Sequence, residues 1–444
     1  MPDSNFLAAM MRAPQTRTAL AVLAGLVVAT CLGQRATGAP PTSSAESRTA
    51  AKQSRPFVPE KLLRPFRGKR EDLRHRALDE AEQQHLSDAQ LGPTLWQAIE
   101  PALKSPRVPE SLLRAVRLYG RLADPESASR LLTMLDASDL RVVMAAVDIL
   151  AERRPPASLV RLTMLRDHAA YNSSFAFRHA VVSAVARFQE PASVAFLVAT
   201  VGSSDGQLKY EAVRHLVRLT GENFGGQVGE WKKWWESNRD AFRPPAAAAT
   251  AATGVRRSAE PAMWDSSLPK FFGLPIYAKR VVFVIDKSKS MLSAADGISR
   301  LDTAEKELEA AIRQLPDDAW FEVIAYNDSE QRFSGKLVQA TPSQKSGAVR
   351  FIYSLVAERT TDIYDTLADA LQFDENIEAI LFLSDGVPTS GTVVDPTAIL
   401  NNVTKQNASL RISINTIGFD AQGAAGEFLQ KLALDNFGIF QIIR

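Results

Sequence analysis

The sequence predicts a multidomain chain: an N-terminal all-α solenoid, then an α/β domain with a doubly wound, mostly parallel sheet. Three observations lead there. A helical unit recurs between residues 90 and 242, and short apolar runs alternate with amphipathic stretches from Lys279 onward. Segments rich in Pro and Ala with no amphipathic period flank the repeats. With 444 residues, and very roughly 150 per domain, two or three domains are expected, and a 45% hydrophobic composition is enough for real cores.

Residues 1–38 read as an export signal. Arg12 and Arg17 precede an apolar run over residues 18–33, and small and turn-forming residues follow through Pro41. Asp3 fits a basic leader poorly, so initiation at Met10 or Met11 would give a cleaner one. The run is shorter than the about 20 residues of a spanning helix. That favours a cleaved signal over an anchor, with Ala36, Thr37 and Gly38 as small residues for cleavage. Cys31 follows Val28, Ala29 and Thr30, which resembles a bacterial lipoprotein box with Thr where Gly or Ala is usual, so lipidation stays open. As the only cysteine it excludes an intramolecular disulfide. The expected location is the periplasm, the cell envelope or the medium, with membrane attachment only through the signal or a lipid on Cys31.

Residues 39–60 read as a disordered tether and 61–89 as a basic, helical lead-in. The basic stretch KLLRPFRGKREDLRHR is first a solvated segment and second a contact for anionic polymer or lipid. Globally, 52 basic against 50 acidic residues leave a charge of +2, which offers no field for nucleic acid.

Residues 90–242 contain the repeat. Aligning LLRAVRLYGRL, VMAAVDILAER, FRHAVVSAVAR and KYEAVRHLVRL places Ala-Val pairs at Ala115-Val116, Ala146-Val147, Ala180-Val181 and Ala212-Val213, in steps of 31, 34 and 32 residues. Pro-containing turns carrying Ser127, Ser158 and Ser193 follow the first three copies, and each leads into a second amphipathic stretch. Two helices per unit at a fixed period is how an α-solenoid is written, because no unit can bury its apolar face alone. The units resemble short bacterial HEAT-like repeats. Trp231, Trp234 and Trp235 share one helical face and read as a terminal cap over the last unit. His179 and His215 read as structural, since no histidine pair has the i, i+4 spacing of a helical zinc site.

Residues 243–262 form a Pro/Ala-rich linker expected to be flexible, 263–278 a lead-in, and 279–444 the second domain. There RVVFVID, WFEVIAY, EAILFLSD, ISINTIGF and GIFQIIR read as strands, with helices between them. Residues 331–339 read as an antiparallel edge strand. Thr341-Pro342 and Asp395-Pro396 read as helix starts. In open sheets of this kind, ligands bind beyond the carboxyl ends of the strands where the strand order reverses.

The residues after those strands carry the chemistry. The first strand runs into Asp286-Lys287-Ser288-Lys289-Ser290; RTTDIYDTL holds Thr361 and Asp362; LFLSDGVPTSG holds Asp385. Together they resemble the metal-ion-dependent adhesion site of von Willebrand factor type A domains, a Rossmann-like fold. Each string is weak alone, but three in the right order are specific, and the resemblance covers residues 279–444. It implies a site formed by Asp286, Ser288, Ser290, Thr361 and Asp385, holding Mg²⁺, with Mn²⁺ or Ca²⁺ as alternatives, and taking an Asp or Glu carboxylate from a partner protein. The residue types suit this independently, because Mg²⁺ wants about six oxygens and keeps several waters.

Two departures from the family pattern concern charge. Lys289 stands where Gly is usual and Lys287 adds a second cation; an ammonium about 8 Å from a divalent ion costs about 1 kcal/mol at water-like dielectric and about 4 at an effective value of 20. Placed at the rim by snorkelling, both would attract an acidic partner, with Asp362, where the family often has Asn, as a compensating negative charge. A nucleotide site lacks its glycine-rich loop, and a hydrolase lacks a histidine in this domain and a Gly-x-Ser-x-Gly elbow. The expected function is therefore an exported, non-enzymatic protein-binding module with the solenoid as second interaction surface. The alternative makes the solenoid the main scaffold and the α/β domain a structural or assembly subunit, as beside the ATPases of metal chelatases. Nothing in the sequence speaks to oligomeric state.

Overall fold

The computed structural model describes residues 56–243, 268–295 and 297–443. The expected export signal, most of the expected tether and nearly all of the Pro/Ala-rich linker lie outside the described residues. No described helix is long and apolar enough to cross a membrane.

The N-terminal region is helical. The basic lead-in folds as α1 (Pro59–Arg67) and α2 (Glu71–Gln84), burying Leu62 and Leu78, while Arg67, Arg70 and Arg74 pair with Glu60, Asp72 and Glu71. Three of its basic side chains are thus answered within the segment. There follow α3 (Leu91–Ile99), α4 (Glu110–Gly120), α5 (Ser127–Met134), α6 (Leu140–Arg153), α7 (Ser158–Met164), α8 (Ala169–Ser173), α9 (Phe175–Val185), α10 (Pro191–Ser203), α11 (Gly206–Thr220) and α12 (Val228–Asn238).

The aligned Ala-Val pairs fall in α4, α6, α9 and α11, and every one of these residues is fully buried. Small Ala lets neighbouring helices approach, and β-branched Val fills the gap between them. Asp139 caps α6 by accepting from Arg141 N (2.9 Å), and its other oxygen accepts from Val108 N (2.7 Å) in the preceding unit. One carboxylate thereby satisfies a helix start and ties two units together. On α12 Trp231 is fully buried, donating from Nε1 to Gly225 O (2.8 Å), with Phe224 edge-on to its ring. The aromatic face covers the end of the array.

The C-terminal domain is built on a seven-stranded sheet in the order β11 (Phe440–Ile443), β10 (Ser413–Phe419), β9 (Ala379–Ser384), β3 (Arg280–Asp286), β6 (Trp320–Tyr326), β7 (Glu330–Arg332), with β8 (Val338–Gln339) also on β6. Strands β3, β6, β9, β10 and β11 are parallel. Their near-continuous apolar runs are buried on both faces, as the helix cover requires. The helices are α13 (Arg300–Gln314), α14 (Pro342–Ile352), α15 (Ile363–Leu371), α16 (Pro396–Asn407) and α17 (Ala424–Asp435). Thr341 and Asp395 cap α14 and α16 by accepting from Gln344 N and Ala398 N, each with Pro in the first turn.

The expected edge strand over residues 331–339 is instead two short pieces, β7 (Glu330–Arg332) and β8 (Val338–Gln339), antiparallel to β6. The break has a cause in Glu322 of β6. Its buried carboxylate accepts from the backbone N–H groups of Ser334 and Lys336, in place of ladder bonds, around a turn at Gly335 with φ +75°. The lead-in before Lys279 also has structure: β1 (Lys270–Phe271) and β2 (Leu274–Pro275) form a hairpin, and Phe271 packs edge-on to Phe283 in the sheet. Between β3 and β6, β4 (Ala294–Ala295) and β5 (Ile298–Ser299) pair antiparallel.

The helical region and the α/β domain are in contact as well as being joined through residues 243–262. The contact lies at the amino ends of the parallel strands. Glu378, just before β9, accepts from Gln207 N and Lys279 N (both 3.0 Å), and Gln207 Nε2 donates to Ser413 Oγ (3.1 Å). Tyr210 stacks on Tyr277, Arg411 pairs with Asp148, and His179 meets Phe437 edge-on. Gly206, with φ +57°, begins α11 here; a Cβ would come within 2.6 Å of Glu378 Oε2, which explains glycine at that point.

His179 is buried between Phe175 and Phe437, and neither ring nitrogen has a hydrogen-bond partner among the described residues. Burial, with Arg411 and Arg214 nearby, pushes its pKa down to about 3. A depressed histidine pKa means that the unfolded state binds the proton, so its contribution is complete above about pH 6.5 and is lost as pH falls toward 3. At pH 5 this amounts to about 2 kcal/mol. Urea unfolding at pH 7 and 5 should show that loss in the native chain and a clearly smaller one in His179→Leu; equal losses would mean that His179 does not contribute.

Candidate metal centre

The strand order reverses beside β3: the chain runs from β3 outward to β6 on one side, then crosses to β9 on the other. A crevice at the carboxyl ends of β3 and β9 is the geometric result. Asp286 is the last residue of β3, and Ser384 the last of β9.

Asp286 is 0% exposed, yet both carboxylate oxygens are satisfied. Oδ1 accepts from Ser288 N (2.8 Å), and Oδ2 from Ser384 Oγ (2.8 Å) and, more weakly, Tyr326 OH (3.4 Å). Burial pushes its pKa up to about 6; the hydrogen bonds from Ser288 oppose this and nearby Asp385 reinforces it. The bond to Ser288 N turns the chain sharply after the strand, so Ser288 Oγ and Ser290 Oγ come to lie 3.0 Å apart. Ser290 Oγ then donates to Asp385 Oδ1 (2.8 Å). Four of the five expected ligands thus form one hydrogen-bonded chain across the crevice.

Thr361 joins through its backbone. Its carbonyl accepts from Thr389 N (2.9 Å) and Ser390 N (3.1 Å), and its N–H donates to Thr389 Oγ1 (2.9 Å), tying it to the loop that begins with Asp385. On the other side Glu358 N donates to Lys287 O (2.9 Å) and Lys289 N to Arg359 O (3.1 Å). These strand-like exchanges sew the three loops together, so the spacing of about 100 residues between Asp286 and Asp385 closes to a chain of hydrogen bonds through Ser288 and Ser290.

The donors are two carboxylates and three hydroxyls, all hard oxygens and few of them charged. Among the described residues no cluster of three or more His, Cys, Asp or Glu is poised for a metal ion. This set suits a hard divalent cation that keeps water, and suits zinc or copper poorly. The residues therefore fit Mg²⁺.

The structure corrects one of the three expected rim residues. Lys287 is 2% exposed, because it lies at the end of a central strand where its N–H donates to Tyr326 O (2.7 Å); most of its side chain is covered. Burial lowers its pKa, with Glu358 opposing. Asp362 caps α15, accepting from Asp365 N (3.1 Å), and its carboxylate lies against Gly391. Burial pushes its pKa up to about 6. Lys289 alone is exposed, as a rim residue should be.

Arg300 was not foreseen. It is the first residue of α13, and its guanidinium donates to Asp385 Oδ2 (2.7 Å) and Asp420 Oδ2 (3.2 Å). No sequence motif marks it, since its role arises only when α13 and the loop after β10 meet above the sheet. Ser384 and Tyr326 were also missed, although a hydroxyl directly before Asp385 was a usable sign.

A largely buried lysine with no carboxylate in ion-pair range among the described residues is costly. Lys287→Met should leave folding stability unchanged or raise it by about 1 kcal/mol in urea unfolding. A loss of more than that would show that the ammonium has a stabilising partner.

Residues 279–442 match the model of the von Willebrand factor type A domain. Over 181 residues the chain is 30% identical to inter-alpha-trypsin inhibitor heavy chain H6 of Homo sapiens, a stretch that covers 38% of this chain and 13% of that protein. Over 178 residues it is 29% identical to inter alpha-trypsin inhibitor, heavy chain 4, of Mus musculus, covering 37% and 18%. The chain therefore spans less than a fifth of the length of these relatives. Among solved structures, a von Willebrand factor type A protein from Catenulispora acidiphila is 24% identical with a TM-score of 0.33, covering 37% of this chain and 38% of that one.

Proposed function

We propose that this chain, whose residues 279–442 match the von Willebrand factor type A domain model, is an exported, non-enzymatic binding protein that takes a carboxylate of a partner protein at a divalent ion, Mg²⁺, held by Asp286, Ser288, Ser290, Thr361 and Asp385. The observation that carries this reading is the continuous run of oxygen donors from Asp286 through Ser288 and Ser290 to Asp385 at the reversal point of the sheet.

When bound, the ion supplies an electrophilic position that an Asp or Glu side chain can fill. The chain's own residues do the rest. Asp286, locked by Ser384 and Ser288 N, fixes the turn that presents the serine hydroxyls. Asp385 orients Ser290 and adds negative charge across the crevice. Thr361 is held between the neighbouring loops by backbone bonds. Lys289, exposed beside the donors, attracts an acidic partner over a Debye length of about 8 Å at physiological salt.

The helical region, with its HEAT-like repeats, is the second interaction surface and a fixed carrier. It packs at the amino ends of the strands, opposite the donors. This placement also favours the scaffold alternative, in which the repeats bind and the α/β domain positions an assembly.

Affinity capture from envelope extract with the native chain and with Asp385→Ala, each in Mg²⁺ and in chelator, separates the two readings. Metal-dependent binding predicts partner recovery only with the native chain in Mg²⁺. Recovery of the same proteins under all four conditions would refute it and leave the helical surface as the binder.

A further inference from the structure

We infer that Arg300 is a built-in counter-ion that competes with the divalent ion for Asp385, and that Asp420 receives its guanidinium when the metal loads. This rests on the reading of Asp286, Ser288, Ser290, Thr361 and Asp385 as the metal site.

Both oxygens of Asp385 are already engaged. Oδ1 accepts from Ser290 Oγ (2.8 Å) and Oδ2 from Arg300 (2.7 Å), and the side chain is only 1% exposed. Such a pair differs from a casual surface ion pair. The start of α13 is pinned by a reciprocal capping box between Ser299 and Asp302, and Arg300 N donates to Ser293 O (2.9 Å). The fold itself aims the guanidinium at the crevice.

A guanidinium stays charged at any pH at which the protein is folded, so it cannot yield to a metal by losing a proton. It must move or repel. Asp420 provides the destination: its carboxylate already touches the other terminal nitrogen (3.2 Å), and its side chain is 53% exposed. Rotation about the terminal bonds of Arg300 would transfer the guanidinium wholly to Asp420 and free Oδ2 of Asp385. Resting metal affinity is therefore low, and negative charge brought by an acidic partner offsets the remaining repulsion. Metal and partner reinforce each other's binding as a consequence.

The test is calorimetric titration of the full chain with Mn²⁺, alongside Asp385→Ala, Arg300→Gln, Asp420→Asn and the Arg300→Gln/Asp420→Asn double variant, with circular dichroism confirming the fold. Arg300→Gln should bind Mn²⁺ about tenfold more tightly. Asp420→Asn should bind several-fold more weakly, and its effect should shrink to within about twofold when Arg300 is already Gln. If the native chain binds Mn²⁺ no better than Asp385→Ala, the metal site itself is misread. If binding depends on Asp385 but Arg300→Gln is no tighter, the competition is overturned with the metal site intact. Should Arg300→Gln not fold, the exposed Asp420→Asn decides alone: an unchanged affinity overturns the proposal.

Discussion

The buried carboxylate of Asp286 is the constraint on which the site depends. A charge at the end of a central strand, with no solvent, is tolerable only if each oxygen is answered, and the answers come from separate parts of the chain: Ser288 N, Ser384 Oγ and Tyr326 OH. Satisfying Asp286 fixes the turn after β3. That turn aligns Ser288 with Ser290, and Ser290 reaches Asp385. The donor array is a consequence of solving one burial problem.

The same logic acts at the opposite end of the sheet. Glu378 is buried at the start of β9, and its carboxylate is answered by the backbone of Gln207 and Lys279, one from each part of the molecule. Burial raises its pKa, with those two N–H groups opposing the shift. One parallel sheet thus uses its two ends differently: the amino ends dock a helical carrier, and the carboxyl ends gather oxygen donors around a reversal of strand order. Arg300 and Asp420 belong to the second end and make its charge balance adjustable.

Much of this was legible beforehand because it is local. Alternating apolar runs and Pro-led caps gave away the α/β order, and the Ala-Val alignment marked helix positions that are fully buried. The motif residues Asp286, Ser288, Ser290 and Asp385 do meet. What escaped was set by tertiary packing. Lys287 looked like a rim charge because the alternation of a strand does not tell how far the strand is enclosed. The docking of the helical region rests on residues such as Gln207 and Glu378, 171 positions apart, with no periodic signal linking them. Arg300 joins Asp385 across 85 positions in the same way.

The most direct measurement is an anomalous difference map from crystals of the full chain soaked in Mn²⁺. The account predicts a single strong peak in the crevice, coordinated by the hydroxyls of Ser288, Ser290 and Thr361 with Asp286 and Asp385 around it. A fully soaked crystal with no peak there, or with its strongest peak elsewhere, would contradict the central claim.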